Sequence, residues 1–441
     1  MRIAPYITVS VALLILLPGS AAGEPIVLPA LPPPRVAVRP AGVAAAVDGP
    51  FTAPGLGGRV AVSILDAATG KAVYRKGGAV AVLPASTLKI VTAVTVLTVL
   101  PADATLRTAV VTSGSVEGGV LAGDLVLVGG GDTTLSSVET AGYPAPSRMS
   151  ALVDAVRRRG ITAVTGGIVV DGSAYSGPLL EPSWKPTYVT EGSVAPVTAL
   201  MVDAGRARPG ATRGARSSNP DLLAGRRFSA LLATRGVTVR GGVTRGRATP
   251  GAAAIGEVHS ARLPALVERM LLRSDNDLAE ALLRRAAVTQ GLPASFAGSA
   301  ELVRRTLVRL GHDITGLVVR DGSGLARADR LSTNLLAGLL RLATDPAQPN
   351  LRPVLAGLPV AGFNGTLGRR YRDASTRAAA GRVRAKTGTL NNVTTLAGMV
   401  VTESGQLLVF AASADQVPTA DVTGASRLLD RAVAAVAACG C

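Results

Sequence analysis

Pro84 is followed by a stretch, Ser86 to Leu100, that holds neither Gly nor Pro and is apolar nearly all round. Only Thr87, Thr92, Thr95, Thr98 and the single charge of Lys89 interrupt it. Such a segment predicts a helix buried on every side, which the rest of the chain must enclose. Ser86 stands at its start, and Lys89, three positions on, lies over the same face. A hydroxyl beside a buried amine, at the positive end of a helix, supplies the parts of an activated nucleophile. Taken alone, the pair reads equally as an N-cap serine and a lysine that snorkels to water.

The lysine adds weight. Of 46 Lys and Arg residues only five are lysines, Lys71, Lys76, Lys89, Lys185 and Lys386. Arginine is the default cation here, and lysine differs from it in being able to shed its proton when desolvated. To serve as a base near neutral pH its pKa must fall from ~10.4 to roughly 8, which is about 3 kcal/mol. Burial and a neighbouring cation can both contribute.

At 441 residues the chain has material for two or three domains. The formal charge of +17 is carried by scattered arginines without zinc-finger or aromatic RNA-binding signatures. Nucleic acid is therefore not the expected partner, and an anionic envelope polymer fits better. Arg2, an apolar run from Ile7 to Leu17 and the small residues to Gly23 describe a secretory leader at 1–22, cleaved after Ala22. An uncleaved anchor, with peripheral membrane or wall association, is the alternative. The only cysteines, Cys439 and Cys441, would close almost no loop and are assigned no catalytic or metal role.

Residues 23–50, rich in Pro and Ala, read as an extended linker, with order beginning near Arg59. A hairpin (Val60 to Ile64, then Lys71 to Arg75) leads into the Ser86 helix. From 105 to 250 short β runs alternate with Gly-rich turns and two helices, Ser150 to Arg159 and Asn219 to Arg235, an inserted α/β domain. Gly129-Gly130-Gly131-Asp132 reads as a turn, since no Gly-Lys-Ser/Thr follows it. Gly205 to Ser218 reads as a mobile exposed loop. Helices follow (Ala261 to Arg273, Asp277 to Ala287, Ser299 to Leu310, Ser332 to Thr344). Three strands (Arg382 to Lys386, Val393 to Thr402, Gln406 to Ala412) and a closing helix, Ala425 to Ala437, complete the chain. Hairpin first and strands last imply that the two ends share one sheet.

Two further elements match Ser86 and Lys89: Ser274-Asp275-Asn276, between two predicted helices, and Lys386-Thr387-Gly388-Thr389, at a strand end. The trio S-x-x-K, S-D-N and K-T-G, in this order, is the signature of β-lactamases and penicillin-binding proteins. It gives each residue a task. Ser86 attacks a carbonyl, Lys89 takes its proton, and Ser274 relays that proton to the leaving amine. Asn276 holds the substrate backbone and helps fix Lys89. Lys386 supplies charge for a substrate carboxylate and lowers the pKa of Lys89. Gly388 lets substrate lie along the strand edge beside Thr387, and the backbone N–H groups of Ser86 and Thr389 form an oxyanion hole. No metal or cofactor is expected. His259 and His312 lack a G-x-S-x-G to serve, which argues against a Ser-His-Asp triad.

The chain thus resembles the D-alanyl-D-alanine carboxypeptidase/endopeptidase family, the class C low-molecular-mass penicillin-binding proteins with a large insertion. The likeness covers Leu83 to Lys89, Gly129 to Leu135, Trp184, Ala195 to Leu200, Ser274 to Ala279, Asp321 to Leu325 and Lys386 to Thr389. It implies an antiparallel sheet flanked by helices plus a helical subdomain (51–104 and 251–441), interrupted by the inserted domain at 105–250. It also implies an exported enzyme that hydrolyses D-Ala-D-Ala termini of peptidoglycan stems, is acylated by β-lactams, and binds the substrate's terminal carboxylate at Thr389. Asp277, after S-D-N, and Thr133-Thr134 depart from the family pattern and are not expected to touch the chemistry. Glu280 and Glu301 lack the E-x-x-x-N context of a deacylating glutamate. A β-lactamase or esterase of the same fold, or an inert wall-binding protein, are the competing readings.

Overall fold

The computed structural model describes residues 39–440. The leader expected at 1–22 and the first part of the expected linker lie outside these residues. A five-stranded antiparallel sheet runs in the order 383–390, 393–401, 407–414, 60–66, 72–76. The chain's first strand pairs with its last, Val60 opposite Ala414 and Asp66 opposite Leu408, so the two ends do share one sheet. Along the last strand Val409 and Ala411 face one core while Phe410 and Ala412 face another. Both faces are covered, which is why this strand reads as continuously apolar rather than alternating.

On the first face lies the helical core. It is organised around Leu88–Val99, with Leu263–Arg273, Asn276–Thr289, Phe296–Arg309 and Thr333–Thr344 packed about it. Between Val82 and Leu97 every residue except Ser86 is buried. The predicted helix begins as a 3-10 turn, Ala85–Thr87, and becomes α-helical at Leu88.

The second face corrects the linker. Order begins before Arg59: Pro40–Thr52 is an α-helix whose Val43, Val47 and Phe51, four residues apart, are buried against the closing helix Val422–Ala437. Pro40 sits in its first turn, where the missing N–H costs nothing, and Pro50 in its last. Proline-rich composition masked a three-residue stripe. Lys76 Nζ anchors the helix end by donating to the Phe51 carbonyl at 2.9 Å. At the opposite terminus Cys439 is disulfide-bonded and packs half-buried beside this core.

The long middle segment builds two sheets of its own, 238–239, 163–164, 120–122, 115–117 and 243–245, 168–171, 125–129, 107–112, 253–259. They enclose a separate core that includes Val110, Leu127, Leu152 and Phe228. The second sheet continues to His259, past the boundary expected at 250. The turn expected at Gly129 to Asp132 falls later: Gly129 ends the strand 125–129, Gly131 is a bend and the turn lies at Thr133-Thr134. The glycines permit close approach, since a Cβ on Gly129 would lie 2.4 Å from the Ala199 carbonyl and one on Gly131 2.2 Å from the Tyr175 hydroxyl. From residue 172 to 219 the chain leaves these sheets as a strap across the helical core, with Trp184 edge-on to Phe296 at 5.3 Å. The mobile loop expected at Gly205 to Ser218 is in part anchored there: the Arg216 side chain is 7% exposed and pairs with Asp277.

Phe51→Ala should lower the stability of the protein by roughly 3–5 kcal/mol, as for other buried aromatic truncations. Urea unfolding would read this directly, whereas a true linker would tolerate the change.

Candidate active site

Ser86 projects from a strained turn. Ala85, just before it, has φ +46, a left-handed conformation costing a non-glycine residue roughly 1–2 kcal/mol. Two glycines make room for that turn. A Cβ on Gly324 would meet the Ala85 carbonyl oxygen at 1.9 Å, and one on Gly388 would meet Thr395 Oγ1 at 2.2 Å and Ala85 Cβ at 3.0 Å. Gly388 therefore lets the serine turn dock on its strand, a nearer reason for glycine than room for substrate. Thr395 Oγ1 completes the contact by donating to the Pro84 carbonyl at 2.9 Å.

Lys89 is fully buried, and its Nζ has three neighbours: Ser86 Oγ at 3.1 Å, Asn276 Oδ1 at 2.5 Å and the Ser323 carbonyl at 2.6 Å. A neutral amine has two N–H groups and one lone pair. In the charged form Nζ donates to all three; once it loses a proton, Asn276 Oδ1 and the Ser323 carbonyl, which can only accept, would take the two hydrogens and leave the lone pair for the Ser86 hydroxyl. Burial lowers the Lys89 pKa to about 8, opposed by the charges of Asp321, Glu280, Asp275 and Asp277. None of these carboxylates bonds the amine directly. Lys386, also fully buried, is pushed well below the ordinary lysine range by burial first and by Lys89 second. The depression of Lys89 expected from Lys386 is not what lowers it: burial does, and the charge effect appears on Lys386 instead.

Asn276 opens the helix Asn276–Thr289, with Asp275 as N-cap accepting from Leu278 N at 3.1 Å. Ser274 ends the preceding helix in a left-handed conformation, φ +56, half-buried. The structure shows no hydrogen bond from its hydroxyl to Ser86 or Lys89. Lys386 Nζ donates to the Thr387 carbonyl at 2.7 Å, and Thr387 Oγ1 to Thr366 Oγ1 at 2.8 Å. Strand Val383–Leu390 lies at the edge of its sheet. Residues 359–361 cover its first half through Ala385 N to Pro359 O and Ala361 N to Val383 O, both 2.9 Å. Beyond that cover Thr389 is exposed.

The D-Ala-D-Ala carboxypeptidase 3 (S13) family profile matches residues 43–216 and 210–436. The chain belongs to that family. It is 38% identical to carboxypeptidase DacB of Mycolicibacterium smegmatis over 406 residues, 91% of this chain and 85% of the relative. Carboxypeptidase Rv3627c of Mycobacterium tuberculosis is also 38% identical, over 84% of this chain and 79% of the relative. Penicillin binding protein 4 of Haemophilus influenzae superposes with a TM-score of 0.74 at 19% identity, covering 90% of this chain and 98% of that one. The S13 membership makes the protein a serine-type D-Ala-D-Ala carboxypeptidase of the penicillin-binding fold.

Within this S13 chain several buried residues at the site were not singled out by their sequence. Asp321 accepts from Trp184 Nε1 at 2.6 Å and from the backbone N–H groups of Gly324, Leu325 and Ala326, which shapes the loop carrying the Ser323 carbonyl. Glu280 accepts from Gly322 N and Ser323 N at 2.8 and 2.9 Å, and burial, then Asp321, raises its pKa to about 7. Asp277, one residue from Asn276, accepts from Ala195 N at 2.8 Å and pairs with Arg216. The aspartates in D-G-S-G and after S-D-N could have been found by asking what a polar residue does inside a predicted buried segment. His259 is half exposed beside Glu257 and Thr105, consistent with a surface role.

Gly388→Ala is expected to cut the rate of D-alanine release by about 100-fold, the scale of an ångström-sized misplacement of a reacting group. Thermal unfolding and D-alanine assay of the same sample would separate this from global loss of structure.

Proposed function

We propose that Ser86 is the nucleophile and Lys89 its general base in a two-step hydrolysis of peptidoglycan stem peptides. Ser86 Oγ adds to the carbonyl of the penultimate D-Ala while Lys89 takes the hydroxyl proton. The C–N bond to the terminal D-Ala then breaks. Ser274 passes the proton to the leaving amine, and an ester to Ser86 remains. Water, deprotonated by Lys89, attacks that ester and restores the serine.

The arrangement around Lys89 carries this reading. The three partners of Nζ, Ser86 Oγ, Asn276 Oδ1 and the Ser323 carbonyl, are all uncharged, so no carboxylate at contact distance holds the proton, and burial disfavours the charged form. The remaining residues follow from position. Asn276, Lys386, Thr387, Gly388 and Thr389 are assigned to substrate, which lies along the uncovered half of the edge strand as an added strand. A bound carboxylate near Thr389 would return Lys386 to its charged form. Backbone N–H groups of Ser86 and Thr389 are assigned to the developing oxyanion.

A β-lactam follows the same course to an acyl-enzyme and stays there. The nearby glutamate, Glu280, is engaged by loop backbone rather than placed as a base for deacylation, which favours a penicillin-binding protein over a β-lactamase. The H. influenzae relative has been solved in complex with a β-lactam. We assign the segment around 105–250 to an inserted domain and the enzyme to the periplasm or wall, delivered by the leader at 1–22. Among the described residues no helix is long and apolar enough to cross a membrane.

Incubation with a fluorescent penicillin and with diacetyl-Lys-D-Ala-D-Ala tests the assignment. The wild type should be labelled and release D-alanine; Ser86→Ala should do neither, and labelled Ser86→Ala would refute the nucleophile. The acylation rate should fall about tenfold per pH unit below roughly pH 8, because only the unprotonated amine can take the proton. Lys89→Arg should abolish it, since a guanidinium does not deprotonate in this range.

A further inference from the structure

The amine of Lys89 rests on two supports, the Asn276 side chain and the Ser323 carbonyl, and both are tied to the strap. Asn276 Nδ2 donates to the Ser193 carbonyl at 2.8 Å. Its neighbour Asp277, side chain 1% exposed, accepts from Ala195 N at 2.8 Å and pairs with Arg216 at 3.0 Å. On the other side Trp184 Nε1 donates to Asp321, which shapes the Ser323 loop. Arg216 is itself built in: it donates to the Gly192 carbonyl at 3.1 Å and to the Ala204 carbonyl, and its N–H to the Val189 carbonyl at 2.9 Å.

We infer that the strap is part of the catalytic apparatus, and that Arg216 and Asp277 are positioning residues for Lys89. The buried ion pair holds residues 193–195 against the S-D-N turn, so that Asn276 Oδ1 stays within reach of Nζ and orients its lone pair on Ser86. A fold-stabilising role alone does not require this placement. The ion pair could have joined the strap to the helices anywhere along their length, yet it sits beside the residue that contacts the amine. Removing one partner leaves a buried charge unpaired, whereas removing both does not. That difference separates positioning from stability.

This inference rests on the Ser86–Lys89 reading, and its test keeps the two apart. Full-length wild type, Arg216→Met, Arg216→Met/Asp277→Asn and Ser86→Ala are compared for D-alanine release from the tripeptide, acylation by fluorescent penicillin and thermal midpoint. Arg216→Met is expected to lower kcat and the acylation rate roughly 10- to 100-fold with KM within about twofold. In the double variant the thermal midpoint should return toward wild type while kcat stays at least about tenfold down, because the tie itself is gone. The inference is overturned if Arg216→Met matches wild type, or if kcat in the double variant recovers in step with the midpoint. Activity surviving in Ser86→Ala would instead overturn the catalytic reading.

Discussion

A buried amine with only neutral acceptors at hand is the constraint on which this structure depends. Lys89 is fully buried inside a helical core, and burial lowers its pKa to about 8, so that it can give up its proton near neutral pH. Four carboxylates pull in the opposite direction from beyond contact distance. Burial without them would place the amine so low that it could hardly hold the proton it takes. A carboxylate in contact would keep the amine charged and useless as a base. The loop and turn that hold those carboxylates at one remove thereby set the amine's proton affinity together with its burial.

Small residues decide how Ser86 comes to lie beside this amine. Ala85 accepts a left-handed backbone, Gly324 gives way to its carbonyl, and Gly388 gives way to its methyl group. Backbone segments at 85, 324 and 388 thus meet beside Ser86, and the strain of the turn is held by packing on both sides. Rigid support of this kind suits chemistry that tolerates little displacement.

What could be read from the residues was whatever local pattern and spacing determine. The Gly- and Pro-free run marked the Ser86 helix, the scarcity of lysine marked Lys89, and order along the chain indicated that first and last strands pair. The helix Pro40–Thr52 was missed because its signal is three apolar residues in a proline-rich background. Asp277 and Arg216 were missed for a different reason. Their meaning comes from a contact between segments remote in sequence, and a charge in isolation looks like solvent-facing polarity. Gly388 was singled out as room for substrate, while its packing need was not legible, since the turn that needs the space lies far away in the chain.

The pairing of Val60–Asp66 with Leu407–Ala414 has a consequence for how the molecule comes into being. The central strand order cannot be completed until nearly the whole polypeptide is available, and contacts of such long sequence separation close late. For a chain made N-terminus first, the turn at Ser86 must wait beside an unfinished scaffold until the last strand arrives to close the sheet.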